Sequence, residues 1–164
     1  MILPGHLAAG YLAAHYCRLD ERVAVVAALL PDLVDKTGRY VLQISESGRV
    51  PAHSILMAIA TTVFVGLLMR RPAFTTAWAI GYLSHLATDV VTDWIHFAGG
   101  SDYLLWPFWP VRPGYHPTLL GSIATYSFWT YGLEATLTAW AIVIFWRKSR
   151  RRKSAGEPAL GSAN

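Results

Sequence analysis

The chain has 164 residues and a formal net charge of +4. Hydrophobic residues make up 54% of it and charged residues only 15%, whereas soluble domains average about 25% charged residues. This composition excludes a disordered chain, and the single cysteine excludes a disulfide scaffold or a cysteine-rich zinc finger. Six of the fourteen basic residues follow an apolar segment in one run, 147–153, which favours a juxtamembrane anchor over a nucleic-acid interface.

Apolar segments follow one another along most of the chain. Two short ones come first, at 1–17 and 23–34, and three longer ones follow at 53–69, 73–92 and 124–146. A membrane-spanning helix needs about 20 mostly apolar residues, and no basic residue marks the first segment as a signal peptide. The sequence therefore predicts an all-α, polytopic membrane bundle with about three full spans and two shorter N-terminal helices. The alternative is a soluble all-α domain with buried helices.

The distribution of basic residues between the loops predicts the orientation. If the C-terminal tail is cytoplasmic, ten of the fourteen Lys and Arg residues lie on the cytoplasmic side and four on the other, in line with the positive-inside tendency. The ten are Arg18, Arg22, Arg70, Arg71 and the six of the tail, and the four are Lys36, Arg39, Arg49 and Arg112. We expect one membrane-embedded domain over 1–146 and a basic, disordered cytoplasmic tail over 147–164.

Ionisable residues cluster at the segment ends that this orientation assigns to the non-cytoplasmic side. They are His6, Asp32, Asp35, His53, His85 and Asp89. The i,i+4 spacing of His85 and Asp89 lets both reach one metal ion from a helix, although a buried structural pair is the alternative. Because ionisable residues at membrane depth are costly and usually functional, their convergence in one layer predicts a shared divalent cation.

Three residues near this layer each have two interpretations. Pro31-Asp32 is a helix-stop signal, so Asp32 is either a turn residue or a ligand. Arg49 is either a surface charge or a clamp for an anion. Ser54 is expected to cap the helix that follows it.

Other polar and aromatic residues have less specific patterns. His15 lies near the cytoplasmic end of the first segment and is expected to be structural. Glu134 lies inside an apolar segment, where it either reaches the polar layer or pairs with a neighbouring helix. The stretch 94–115 is dense in Trp, Tyr and Pro, which favours an interfacial aromatic belt over a lid or acyl-chain wall.

Several short motifs, in their order and spacing over about residues 5–110, resemble those of a known family. They are Gly5-His6, residues 30–35 (LPDLVD), Arg49 with His53-Ser54, residues 81–89 (GYLSHLATD) and residues 104–108 (LLWPF). The resemblance is to the LexA-binding, inner-membrane-associated, membrane-bound metal-dependent hydrolases, which are distantly similar to zinc-dependent phospholipase C. It implies an inner-membrane protein with a membrane-embedded metal site and hydrolase activity.

One position departs from that family pattern. The family has a His where this chain has Gly48, directly before Arg49. If that His is a ligand in the family, this chain has one ligand fewer, and a second metal ion and the activity are both in question. His96 and His116 are the candidates to replace it.

We expect His6, Asp32, His53, His85 and Asp89 to hold the metal. A ligand set of imidazole and carboxylate without thiolate suits zinc, manganese or ferrous iron, and zinc is the default for hydrolysis. Asp32 or Asp35 would complete the coordination or act as general base, and Arg49 would neutralise a phosphate or developing oxyanion.

A site at the outer headgroup level favours a lipid or lipid-linked phosphoester or ester as substrate. The bilayer is then the expected partner, and no nucleic acid is expected. Two other functions compete with the hydrolase: a non-catalytic membrane protein with a structural metal, and a metal-ion or proton transporter.

Overall fold

A computed structural model of the protein describes residues 3–45, 47–95, 101–111 and 127–154. These residues form α-helices, a π-helical turn and a 3-10 turn without any strand, which confirms the all-α class. The helices are α1 (Leu3–Tyr16), α2 (Glu21–Lys36), α3 (Ile55–Met69), α4 (Pro72–Ile95) and α5 (Phe128–Ser154). The π-helical turn, Thr37–Val41, follows α2, and the 3-10 turn, Asp102–Leu105, comes before α5.

The centre of the fold is a close crossing of α2 with α1 and α4. Small residues make it possible, because Ala24 and Ala28 of α2 are fully buried and glycines of α1 and α4 lie against them. A Cβ at Gly81 of α4 would lie 2.6 Å from the Cα of Ala24, so only glycine fits there. Membrane helices commonly approach one another through such small residues. Helix α3 packs on α4, and α5 packs on α1.

Helix α2 continues through Pro31 to Lys36, so the expected helix stop at Pro31-Asp32 is wrong. Asp20 starts the helix by accepting the backbone N–H groups of Arg22 (2.9 Å) and Val23 (3.3 Å). A proline inside a helix removes one ladder hydrogen bond and crowds the carbonyl four residues earlier. Packing against α1 and α4 outweighs this cost, and Asp32 is carried on the helix and not on a turn.

Ser54 caps α3, as expected from the sequence. Its hydroxyl accepts the backbone N–H of Met57 (3.2 Å) and donates to the carbonyl oxygen of Pro51 (2.8 Å). The second bond ties the cap to the preceding turn, which carries His53.

The structure does not support three full spans. Among the described residues, one helix is long and apolar enough to cross a membrane, over Phe128–Arg151. Helix α3 is apolar but has 15 residues, which gives about 22 Å against a hydrocarbon core of about 30 Å. Helix α4 has 24 residues, but its second half carries His85, Asp89 and Asp93, which lower its hydropathy. The uncharged runs form helices as predicted. However, α3 is too short to span the membrane and α4 is not apolar enough.

Helix α5 extends beyond Trp146 to Ser154, so most of the basic run 147–153 forms its last turns. The guanidinium of Arg150 lies over the ring of Trp146, 3.8 Å from its centroid. Residues 155–164 of the predicted tail lie outside the described residues.

Candidate metal centre

The five predicted metal ligands come together in one buried cluster. They are supplied by α1, α2, the turn before α3, and α4, and none is more than 4% exposed. Two overlapping groups have ligand atoms within 4.8 Å of one another and share one histidine: His6, His85 and Asp89 in the first, and Asp32, His53 and His85 in the second.

Asp35 fixes the orientation of His53. The His53 ring donates from Nδ1 to Asp35 Oδ2 (2.7 Å), and the backbone N–H groups of Ala52 and His53 donate to the same carboxylate (2.9 and 3.0 Å). The turn before α3 is thus folded over Asp35. Its carboxylate lies behind His53, so the structure places Asp35 as the orienting partner of a ligand and not among the atoms that face the cluster.

A backbone carbonyl fixes the orientation of His85. The His85 ring donates from Nδ1 to the carbonyl oxygen of Ala28 (2.7 Å). Since a carbonyl oxygen can only accept, this bond assigns the proton to Nδ1 and leaves Nε2 as the ligand atom. Pro31 follows Ala28 by three residues in α2. Because proline has no backbone N–H, one helical hydrogen bond is missing in this turn of the helix.

A threonine hydroxyl does the same for His6. The distance from His6 Nδ1 to Thr88 Oγ1 is 2.9 Å. The Thr88 hydroxyl donates to the carbonyl oxygens of Ser84 or His85 (3.0 and 2.8 Å), so it accepts from His6. The Nε2 atom of His6 is buried and makes no hydrogen bond within the described part of the chain.

All three imidazoles therefore present Nε2 to the cluster. The Nε2 atoms of His53 and His85 are 3.0 Å apart, and the rings of His6 and His85 stack with centroids 3.8 Å apart. Two nitrogen lone pairs at this separation repel unless a proton or a cation lies between them. Partners that orient the far nitrogen of each ring are typical of histidines that bind metals.

Two carboxylates complete the cluster. Asp32 Oδ1 lies 3.4 Å from His53 Nε2 and 3.9 Å from His85 Nε2. Asp89 Oδ2 lies 3.3 and 3.6 Å from the same two nitrogens, and its Oδ1 lies 3.3 Å from Nε2 of His6. Asp89 thus joins the two overlapping groups.

The cluster attracts positive charge. Burial by itself lowers the pKa of His53, but hydrogen bonds to Asp32, Asp35 and Asp89 outweigh it and raise the pKa to about 10. At neutral pH the ring then takes a second proton, on the Nε2 that faces the other ligands. A divalent cation can replace that proton, and metal binding releases protons from ligands in this way. The donor set fits such an ion.

Lys36 and Arg49 lie at the edge of the cluster. Lys36 Nζ is 2.6 Å from Asp32 Oδ2, so one oxygen of Asp32 faces the cluster and the other faces a lysine. The sequence analysis treated Lys36 only as a loop charge. Arg49 Nη1 is 2.5 Å from Asp93 Oδ2. The carboxylates of Asp89 and Asp93 raise the pKa of Arg49 above its usual value although the side chain is partly buried, so Arg49 stays charged beside the candidate ligands.

Tyr103 is a neighbour that the sequence analysis missed. It lies in the 3-10 turn and is 3% exposed. Its ring lies beneath the guanidinium of Arg49 (4.9 Å to the centroid) and edge-on to His53 (centroids 6.1 Å apart). Burial and the charges of Asp89 and Asp93 raise the pKa of Tyr103, so its hydroxyl keeps its proton. The only signal in the sequence was its place in the aromatic stretch 94–115.

A cavity of about 230 Å³ opens between the segment around Arg49 and the residues that follow the 3-10 turn. Its lining contains the two serines that precede Arg49, two indole rings and four further residues: Ser45, Ser47, Val50, Trp106, Pro107, Trp109, Pro110 and Val111. The Ser45 hydroxyl donates to the Ser47 carbonyl oxygen (2.7 Å), and the Ser47 hydroxyl accepts the Arg49 backbone N–H (3.2 Å). These bonds fix the backbone from Ser45 to Arg49, and the two serines line the cavity.

Gly48 lies next to the side chains of Arg39 and Tyr40. The nearest atoms to a Cβ built there are Arg39 Cδ (3.2 Å) and the ring of Tyr40 (3.9 Å). A side chain on this backbone would therefore start towards Arg39 and Tyr40. The five candidate ligands come together without a contribution from position 48. His96 and His116 lie outside the described residues.

A separate polar contact lies at the other end of the bundle. His15 Nδ1 and Lys148 Nζ are 3.2 and 2.5 Å from Glu21 Oε1, which ties α5 to α1 and α2. Burial alone would raise the pKa of Glu21, but hydrogen bonds from Lys148 and His15 outweigh it and lower the pKa. This contact agrees with a structural role for His15. Glu134 is buried on α5.

The comparison with protein families matches residues 1–156 to the YdjM inner membrane protein family. The chain therefore belongs to that family and is associated with the inner membrane. The family description gives a location and no activity. The searches of curated proteins and of solved structures returned no match.

Proposed function

We propose that this member of the YdjM family is a membrane-bound metal-dependent hydrolase. One observation carries the proposal: three buried Nε2 atoms and two carboxylates face one another, and each imidazole is oriented by a partner on its far nitrogen. Such an arrangement suits a cation, because three imidazole lone pairs and two carboxylates repel one another unless protons or a metal ion lie between them.

The donor set favours zinc, with manganese or ferrous iron as the other candidates. Imidazole and carboxylate without thiolate suit all three ions, and zinc is the common choice for hydrolysis. A bound divalent ion supplies a hydroxide at neutral pH, because it lowers the pKa of its water from about 15.7 to about 7.

The roles of the two α2 carboxylates differ. Asp35 accepts the ring N–H of His53 and two backbone N–H groups, so its part is to hold His53 in the correct tautomer. Asp32 has one oxygen towards the cluster and one on Lys36. Of the two, Asp32 is therefore the better candidate for a ligand or for the base that takes a proton from water.

The substrate class follows from the membrane setting. The C-terminal end of α5 carries the basic run, which we assign to the cytoplasmic side by the positive-inside tendency. The His and Asp cluster then lies on the outer side of the inner membrane. There we expect a lipid or lipid-linked phosphoester or ester to be hydrolysed, with Arg49 holding its anionic group.

The test measures metal content and activity on the same purified protein. We expect the wild type to retain about one divalent ion per chain and to hydrolyse phospholipid in a manner that a chelator abolishes. Asp89→Asn changes charge with little change of shape and should lower both metal content and activity. His15→Ala is the matched control at the opposite end of the bundle and should change neither. Wild-type protein that binds neither zinc nor manganese would contradict the proposal.

One observation favours a second function, a structural metal site. The five candidate ligands are at most 4% exposed, and closed sites with all positions filled by protein are typical of structural zinc. In that case removal of the metal would lower the melting temperature, and no lipid substrate would be hydrolysed by the loaded protein. The two functions are separated by activity, since both predict bound metal.

A further inference from the structure

Tyr103 stands between the candidate metal ligands and Arg49. Its ring makes an edge contact with the ring of His53. The guanidinium of Arg49 lies over one face of the same ring. The side chain is 3% exposed, so its position is set by this packing.

The hydroxyl of Tyr103 makes no bond of hydrogen-bond geometry within the described part of the chain. A buried hydroxyl without such a bond costs free energy, and Tyr or Trp that is buried usually finds a partner. The charges of Asp89, Asp93 and Arg49 act on it, and the Asp93 carboxylate lies near enough to interact with the hydroxyl, which places it at the edge of the cluster.

Arg49 offers further donors at the same place. A guanidinium has five N–H groups, and the bond to Asp93 uses one of them, on Nη1. The side chain is 32% exposed, unlike the ligands behind it. Ser47 and Val50, which flank Arg49 closely in the chain, line the cavity of about 230 Å³. The Arg49 side chain is therefore open to an approaching group, whereas the histidines behind it are buried.

We propose that Arg49 and the Tyr103 hydroxyl form a phosphate-binding subsite beside the metal centre, so that the substrate is a phosphoester and not a carboxylic ester. A phosphoryl group has several charged acceptor oxygens and is bound well by a fork of N–H donors with an additional hydroxyl. The carbonyl of a bound carboxylic ester carries no charge before attack, so a guanidinium and a hydroxyl would bind it less tightly than they bind a phosphoryl group. Asp93 is a positioning residue here, because it holds Arg49 over the tyrosine ring. This inference rests on the proposed function.

The experiment measures the binding of inorganic phosphate to the full-length, zinc-loaded protein in detergent by calorimetry. Tyr103→Phe keeps the ring that packs on Arg49 and His53 and removes only the hydroxyl. We expect it to weaken phosphate binding by about tenfold or more, the loss of one hydrogen bond to a charged group, with metal content unchanged. Tyr16→Phe, an exposed tyrosine at the other end of α1, is the matched control and should bind as the wild type.

A second variant, Arg49→Lys, keeps the positive charge but loses the planar fork, and it should also weaken phosphate binding. Phosphate binding that is equal in wild type, Tyr103→Phe and Arg49→Lys would mean that phosphate binds the metal alone, and it would overturn the subsite.

The two proposals fail in different ways. Protein that holds zinc but binds no phosphate overturns the subsite and leaves the metal centre intact. Protein that holds no zinc yet binds phosphate in a Tyr103-dependent way supports the subsite without the hydrolase. Protein that binds neither overturns both.

Discussion

Replacing Gly81 by Ala tests whether the helix crossing positions the candidate ligands. A Cβ at Gly81 would overlap the carbonyl oxygen of Ala24 and lie 2.6 and 2.7 Å from its Cα and carbonyl carbon. All three are backbone atoms of α2, so no side chain can rotate out of the way. Overpacking of this kind costs about 1–3 kcal/mol, and the better helix propensity of Ala returns about 1 kcal/mol. Because the clash is with backbone atoms, the upper end of this cost applies, and we expect a net loss of about 2 kcal/mol.

Gly132→Ala is the matched control, because a Cβ there meets nothing within 4 Å. It should raise stability by up to about 1 kcal/mol. Both variants are unfolded by denaturant titration in detergent micelles, followed by circular dichroism, and their metal content is measured. Since α2 and α4 together carry Asp32, His85 and Asp89, Gly81→Ala should also lose metal. If Gly81→Ala were as stable as Gly132→Ala, the crossing would not be as close as described.

Three further changes test single contacts. Thr88→Val removes the hydroxyl that orients His6 and should weaken metal binding about tenfold, as measured by competition with a chelator; unchanged affinity would exclude His6 as a ligand. Asp35→Asn should have at least as large an effect, because the imidazole that it orients loses its charged acceptor. Glu21→Gln should lower the melting temperature fully above pH 4.5, and the difference should disappear as pH falls through the lowered folded-state pKa of Glu21. Equal melting temperatures of Glu21→Gln and wild type at pH 7 would contradict a stabilising contact with Lys148.

The candidate ligands could be found from the sequence because two independent patterns placed them in one layer. Polar residues lie at the ends of apolar segments, and the basic residues predict which ends share a side of the membrane. The structure brings His6, Asp32, His53, His85 and Asp89 into one cluster. His85 and Asp89 are four residues apart, so they share one face if α4 is helical, and the uncharged run of α4 already indicated a helix.

The partners that orient these ligands could not be found in this way. The acceptor for His85 is the backbone carbonyl of Ala28, and every residue has a carbonyl, so the sequence holds no signal for it. The acceptor for His6 is Thr88, a residue type that is common in apolar helices. Asp35 was expected to face the metal because it lies three residues after Asp32, but its carboxylate is engaged by His53 and the turn before α3.

The predicted number of membrane spans was too high, because an apolar segment without charged residues was assumed to form a helix long enough to cross the membrane. Helix α3 is uncharged but ends at Arg70, which adopts a left-handed conformation with φ of 50°. The chain then turns at once into α4, which starts at Pro72. Proline is favoured in the first turn of a helix, so the pair Arg70-Arg71 acts as a tight connection. The result is a helix of 15 residues where the sequence predicted a full span.

The burial of the cluster decides from which side it can be reached. The five candidate ligands are at most 4% exposed, whereas the side chains of Lys36 and Arg49 at its edge are 30% and 32% exposed. If the protein is the proposed hydrolase, we expect water and substrate to approach past these two cations, which would attract an anionic group. A structural metal needs no such path. Substitution of Arg49 should change the KM if the protein is a hydrolase. The metal content should stay unchanged whether the metal is catalytic or structural. A KM that is the same with Arg49→Lys would place the approach elsewhere.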